Sequence, residues 1–316
     1  MAISFGAYRV DWFALLGNAA SMPSGPAIDV LLQLRLPRVM LAACVGAALA
    51  VAGTTLQALF RNPLADPGLL GIGSGAAVGA GLMICVLPVH YAFATPWALP
   101  GAAFVGALLV ARLALTIGAR DGGLDVTLLL LVGIAINAFA GAALGLLLFV
   151  ADDAALRDFT FWTLGSLSGA SWRTALPVLL ATGVADIVLL RSAGSLNAFV
   201  LGERNAFYLG VDVERAKRRL VLATSLAVGA CVAVTGLIGF VGLVVPHVAR
   251  FVVGPNHRFL LPAAASIGAS LMLAADLIAR TVVLPAELPV GIVTACLGAP
   301  SFLWLILRHF RQLHAR

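Results

Sequence analysis

Charge is scarce in this 316-residue chain. Asp, Glu, Lys and Arg together make up 11% of it, against about 25% in ordinary globular chains. They are missing altogether from Val39 to Phe60, Pro67 to Ala111, Val126 to Ala151 and Val221 to Ala249. Each run can cross about 30 Å of hydrocarbon, which takes about 20 helical residues. A soluble core could hold one such helix, but not a succession of them. The chain therefore reads as an all-α polytopic membrane protein.

Other absences narrow the function. The four cysteines, Cys44, Cys85, Cys231 and Cys296, sit in apolar runs without ligand spacing. They read as small buried hydrophobes, and neither a metal site nor a disulfide is expected. The five histidines have no HExxH-type spacing, and there is no Gly-x-Ser-x-Gly and no P-loop. The chain is thus expected to be no enzyme and to have no means of its own for using ATP. No carboxylate relay runs through the apolar segments, which disfavours a proton-coupled carrier. The net charge of +6 comes without a basic groove or basic–aromatic interleaving. Cytoplasmic loops of a membrane protein produce the same balance, so no nucleic-acid partner is expected. The N-terminal MAISFGAYRVDWFALLGNAA lacks a basic n-region and is broken by Arg9 and Asp11. It is a poor signal peptide and an equally poor span.

What is present organises well. Nine spans are expected near 39–60, 68–87, 97–117, 127–150, 172–190, 219–236, 240–253, 259–279 and 290–307, the seventh being short. Glycines 236, 239 and 242 in GLIGFVG permit a sharp reversal before it. Placing loops 61–67, 112–125, 191–218 and 250–258 and the C-terminal tail in the cytoplasm puts fourteen Lys and Arg residues there and six outside. That bias orients the chain. VGAALAVAG (45–53) matches VGACVAVTG (228–236) at six of nine positions. The copies lie an odd number of spans apart and so run in opposite directions, the pattern of an inverted repeat. Small residues such as those of GLLGIGSGAAVGAG allow close helix packing in lipid. Asn137, in mid-span, either faces a pathway or ties two helices together. Asp186 and Asp276, near helix ends, are expected to snorkel or pair within the bundle.

One stretch breaks the apolar pattern. LGERNAFYLGVDVERAKRR (201–219) holds three acidic and five basic residues. It reads as a helix from Glu203 to Leu209, a break at Gly210 and a second helix capped by Asp212 with Glu214 in its first turn. As two short elements at the cytoplasmic surface, it offers Ala206, Phe207, Tyr208 and Leu209 to a partner's socket.

From residue 32 to 308 the chain resembles the permease family of type II ATP-binding-cassette importers, which carry iron-siderophores, haem or cobalamin. The segments that carry the likeness are LQLRLPRVMLAACVGAALAVAG, LQALFRNPLADPGLLGIGSG, GIAIN, FWTLGSLSG, the LG-x-x-x-A-x-x-LGV of 201–211, GLIGFVGLVVPHVARFVVGPNHRFLLP and ELPVGIVTACLGAPSFLWLILR. The resemblance implies one permease domain over 1–316, with 201–219 as its coupling-helix region. It implies a homodimer around a central path in the bacterial inner membrane, two copies of a cytoplasmic ATPase that binds ATP and magnesium, and a periplasmic solute-binding protein. Gly202, Glu203, Ala206, Leu209 and Gly210 match the motif that grips the ATPase, and the RNPLADP turn and GPNHR loop are expected to shape the same interface. Arg35 and Arg38 match the docking positions for the binding protein's carboxylates, with Arg280 as a third candidate. Family members typically have ten spans. AISFGAYRVDW resembles the end of the first and the start of its outer loop, so most of that helix is expected to be absent.

For cargo, LRDFTFW at 156–162 looks more like haem permeases than cobalamin or catecholate-siderophore members. Phe159, Phe161 and Trp162 are expected to stack near a flat ring, with Arg157 available to a propionate. No His/Met pair is poised to hold iron, so haem is read as transported substrate and not as a cofactor of this chain. Ferric siderophore and cobalamin remain the alternatives. An ion-coupled secondary transporter and a non-transporting scaffold are the competing classes.

Overall fold

A computed structural model describes residues 26–86, 97–120, 123–283 and 285–314. The N-terminal segment that resembles the end of a first span lies outside the described residues. Among these described residues, twelve longer α-helices follow a helical turn Pro26–Asp29 and a π-helical stretch Val30–Arg35. They are α1 (Leu36–Leu59), α2 (Ile72–Cys85), α3 (Ala98–Gly118), α4 (Val126–Val150), α5 (Asp153–Thr163) and α6 (Trp172–Arg191). After them come α7 (Ala193–Val200), α8 (Glu203–Tyr208), α9 (Val213–Thr235), α10 (Val241–Val253), α11 (His257–Ala279) and α12 (Val290–His314). A two-stranded hairpin, β1 (Ala119–Arg120) and β2 (Gly123–Leu124), joins α3 to α4.

Apolar runs set where the helices lie, and short polar side chains set where they start. Asp125 accepts from the amides of Thr127 and Leu128 ahead of α4, and Asp152 from Ala155 in α5. Ser171 and Thr174 form a reciprocal capping box at α6, and Asn256 accepts from Arg258 at α11. Each side chain satisfies an amide that the first helical turn cannot. A helix stands at each of the nine expected spans. Among the described residues, six of these helices are long and apolar enough to cross a membrane, and three, at Ile72–Cys85, Val241–Val253 and Val290–Leu303, are apolar but shorter.

The helices repeat in length and in packing. The run α1–α2–α3–α4 has 24, 14, 21 and 25 residues, and α9–α10–α11–α12 has 23, 13, 23 and 25. α1 packs on α11 and α10, as α9 packs on α3 and α2. Within each half the second helix lies against the third and fourth, while α6 touches both α1 and α9. The matched segments 45–53 and 228–236 therefore occupy the two central helices. Over an apolar stretch of 18 residues in each, 72% and 67% of residues are buried, against 17–33% for the other four long helices.

These central contacts are close because the residues are small. A Cβ added at Gly53 would lie 1.9 Å from the carbonyl oxygen of Gly242, and one at Gly46 would lie 2.2 Å from that of Gly268. In lipid, where apolar side chains gain little from leaving their solvent, such backbone approach is what holds helices together.

The structure corrects three details. In GLIGFVG the reversal uses Gly236 (φ 71°) and Phe240 (φ 68°), whereas Gly242 lies inside α10 and serves the approach to α1. The element after Asp212 is not a short surface helix but the start of α9, which continues for 23 residues as the sixth span. The loop read as 191–218 contains α7, whose Leu196 and Phe199 are buried and which packs on α1 and α11. Its lone apolar turns were too short to stand out beside the charged stretch that follows.

Gly53→Ala is expected to lower the melting temperature of the detergent-solubilised chain, with a loss of about 1–3 kcal/mol for overpacking. Gly101→Ala, where an added Cβ meets nothing within 4 Å, is the control and should leave melting unchanged or slightly raised. Equal melting of the two variants would refute close backbone contact as the basis of the core.

Candidate functional site

The charged face gathers four segments distant in sequence. α8 runs from Glu203 to Tyr208 between two glycines with positive φ, Gly202 (102°) and Gly210 (82°). These angles favour glycine, because a Cβ would crowd the backbone. Ala206 is fully buried and anchors the helix, whereas Phe207, Tyr208 and Leu209 are 68%, 71% and 64% exposed. Arg204 lies over the Tyr208 ring at 6.0 Å. The segment thus presents an apolar knob on a base that the fold fixes.

Beneath α8 lies a recess of about 450 Å³ that reaches Arg61 on one side and the β2 hairpin on the other. At its centre the Lys217 ammonium donates to Glu203 Oε2 (3.0 Å) and pairs with Glu214 Oε1 (2.7 Å). It also donates to the carbonyl of Leu124, whose amide donates to Glu214 Oε2. Sequence reasoning missed Lys217 as a functional residue. The i, i+3 spacing of Glu214 and Lys217 was the available signal, but nothing in the sequence tied either to residue 124. The GPNHR loop docks alongside: Asn197 of α7 donates to Asn256 Oδ1 (2.9 Å) and accepts from the amide of His257 (2.9 Å).

The opposite face collects the three arginines expected to dock a partner. Arg38 Nε donates to Asp276 Oδ1 at 2.8 Å, and its Nη1 lies 2.9 Å from Glu287 Oε2. Arg280 Nε is 3.4 Å from Asp276 Oδ2, and Arg35 is buried nearby in sequence to Arg38. The Asp276 side chain is wholly buried, whereas that of Glu287 is 41% exposed. Asp276 therefore pairs within the bundle rather than snorkelling. Arg35 and Arg280 are buried rather than standing clear of the surface, because clustered cations near the membrane interface need a shared counter-charge. Glu287, absent from the expected set, supplies the more exposed carboxylate.

α5 lies at this same end and its four candidate contacts divide. Arg157 and Phe161 are exposed. Phe159 is 5% exposed and packs with Ala77, Ile84 and Ala155, and the half-buried Trp162 stacks on it with centroids 6.1 Å apart. The expectation that Phe159 faces cargo is thus corrected: helical periodicity turns it toward α2. The loop after α5 meets the reversal between α9 and α10. Ser166 N donates to Thr235 O at 2.7 Å, and a Cβ at Gly165 would lie 2.4 Å from Leu237 O. FWTLGSLSG and GLIGFVG, far apart in sequence, are one contact in space.

Asn137 of α4 ties helices together. It accepts from Ser74 Oγ at 2.6 Å and donates to Gly68 O at 3.1 Å. This fixes the turn before α2 against α4, where a Cβ at Gly133 would lie 1.9 Å from Leu69 O. Among the described residues, no group of three or more His, Cys, Asp and Glu side chains is arranged to hold a metal ion.

Residues 1–308 match the FecCD transport family. The chain is 50% identical over 290 residues to the hemin transport system permease protein HmuU of Yersinia pestis, covering 89% of this chain and 84% of that one. It is 45% identical over 277 residues to the vitamin B12 import system permease protein BtuC of Vibrio cholerae, covering 88% and 82%. Its fold matches the inward-facing structure of a metal-chelate type ABC transporter with a TM-score of 0.85 and 31% identity, over 97% of this chain and 94% of that one.

Asp276→Asn should destabilise the solubilised chain by about 3–5 kcal/mol, the usual result of stripping a buried pair of one partner. Glu287→Gln, at a partly exposed site, should cost about 1 kcal/mol or less. Thermal melting of the two variants distinguishes a structural ion cluster from a set of surface charges. An Asp276→Asn protein as stable as the Glu287→Gln protein would rule the cluster out.

Proposed function

The chain belongs to the FecCD transport family, and from that premise we propose that it is the membrane-spanning permease of an ATP-driven haem importer. It is a multi-pass protein of the bacterial inner membrane and a transport component. Two copies would enclose the path, each gripping one cytoplasmic ATPase subunit, with a periplasmic binding protein delivering cargo to the outer end. ATP and magnesium would be held by the ATPase, since the sequence has no P-loop, and this chain would hold no cofactor of its own.

The observation that carries the reading is α8. Three large apolar side chains, each about two-thirds exposed, crown a six-residue helix on the charged face. Water gives such a knob no stabilisation, whereas a partner's socket does. Gly202 and Gly210 set its angle, Ala206 seats it and Glu203 fixes its first turn, so Leu209 and its aromatic neighbours remain for the ATPase. The resemblance assigns the outer-face arginines to carboxylates on the binding protein. In this geometry Arg38 would exchange Glu287 for an incoming carboxylate while Asp276 stays in place. Such charge pairs govern orientation and encounter rate more than net affinity.

Haem as cargo rests on the likeness to the Yersinia hemin permease over 89% of this chain, with Arg157 and Phe161 exposed on α5 for a propionate and a ring face. Cobalamin is the second reading, favoured by the likeness to the Vibrio permease. Reconstituted with its ATPase and binding protein in liposomes, the permease should show ATP-dependent uptake of haem in excess of cobalamin and of a ferric siderophore. Cobalamin uptake in excess would replace the cargo and keep the permease. Phe207→Ala should weaken ATPase binding by about 2 kcal/mol, roughly thirtyfold in Kd. Undiminished binding would remove α8 from the interface.

A further inference from the structure

Lys217 is the only lysine in the chain; every other basic residue apart from the histidines is an arginine. It is also buried, its side chain only 4% exposed. A buried ammonium is costly unless its protons are all taken. Here three acceptors converge on it: Glu203 Oε2 at 3.0 Å, Glu214 Oε1 at 2.7 Å and the Leu124 carbonyl. A compact tetrahedral ammonium with three donors suits this arrangement, whereas the planar fork of arginine does not.

The three acceptors belong to three separate pieces of the fold. Glu203 opens α8, Glu214 lies in the first turn of α9, and Leu124 closes the hairpin between α3 and α4. Glu214 also accepts from the Leu124 amide, so the pair Glu214–Lys217 holds both backbone groups of one residue. The Leu124 side chain is itself buried in the core.

The covalent connections of α8 make this node matter. The helix joins α7 through Gly202 and α9 through Gly210, both in the left-handed region, and an added Cβ at Gly210 would meet nothing within 4 Å. Glycine joints at both ends let the helix pivot. A push on its apolar knob would then tilt α8 in place instead of shifting the spans. A rigid response needs a cross-brace, and Glu203–Lys217–Leu124 is one.

We propose that Lys217 is a positioning residue of the ATP-driven step, locking α8 to the start of α9 and to the α3–α4 hairpin so that the three move as one body. The proposal rests on the reading of α8 as the ATPase contact. Lys217, its side chain 4% exposed, acts through Glu203 rather than by offering a contact of its own.

The test uses the complete transporter in liposomes and scores uptake per ATP hydrolysed, with haem and cobalamin run in parallel so that cargo identity does not decide the result. Lys217→Met and Glu203→Gln should each lower uptake per ATP about fivefold or more, the lower end of typical coupling between sites. The double variant should be no worse than Lys217→Met alone, since both remove one link. Lys217→Arg should fail to restore coupling, which separates a fitted brace from a requirement for positive charge. The Lys217→Met permease should still co-elute with the ATPase. If that variant does not fold, the partly exposed Glu203→Gln carries the test by itself. Tyr208→Asp should abolish co-elution, and its failure to do so would overturn the reading of α8 and the proposal with it. Loss of co-elution in Tyr208→Asp together with unchanged uptake per ATP in Lys217→Met or Glu203→Gln would overturn the brace alone.

Discussion

Hydrocarbon gives helices no hydrophobic reward for meeting one another and no water for unpaired polar groups. The fold depends on that constraint. Its two central helices, α1 and α9, meet their neighbours by close approach at small residues, Gly46 on Gly268, Gly53 on Gly242 and Gly229 on Ala107. Bulky side chains are turned outward instead, as along α4, where Phe139, Leu146 and Phe149 are exposed in the single chain. A surface of that kind is at home against lipid or a second permease.

The same constraint disposes of charge. Charged side chains are gathered into paired clusters at the two ends of the bundle. Arg38, Arg280, Asp276 and Glu287 meet at one end, and Lys217, Glu203 and Glu214 at the other. Burial raises the strength of such pairs and the penalty for breaking them together. These nodes therefore fix the geometry of exactly those regions that a partner on either side would touch.

Much of this was legible in the sequence, because its signals are local. Apolar runs place all nine helices, and Asp212 marks a start that the structure confirms as a cap. The glycine break after Leu209 and the exposure of Phe207 to Leu209 were likewise readable from residues in a row. What escaped depends on residues brought together from afar. Nothing near Lys217 points to Leu124, 93 positions away, and nothing near Arg38 points to Glu287. Phe159 was assigned to the outer mouth because aromatic composition does not say which face of α5 turns inward. The continuation of the element after Asp212 into the sixth span escaped because Arg218 and Arg219 look like a surface and not a helix entering lipid. Both are exposed while Lys217 between their turn and Glu214 is buried.

The repeat bears on how the two charged nodes should be understood. Aligning Val45 with Val228 sets Arg35 opposite Arg218 and Lys217 opposite Leu34, so both nodes sit at the entry of a central helix. In one half, the start of α1 holds the end of α11 and the segment leading to α12 through Arg38, Asp276 and Glu287. In the other, the start of α9 holds the hairpin leading from α3 to α4 through Lys217, Glu214 and Leu124. These pairs of helices correspond under the repeat, and the inverted orientation puts the nodes at opposite membrane faces. The residues differ, yet the mechanical relation is the same: a cation at the mouth of the central helix grips the link between its third and fourth partners. The two cations fall one helical turn apart in this alignment, Arg38 opposite Val221, and an accidental surface ion pair has no reason to recur so near the matching place with different chemistry. A joint that each half needs, if it is to move as a unit against the other, does.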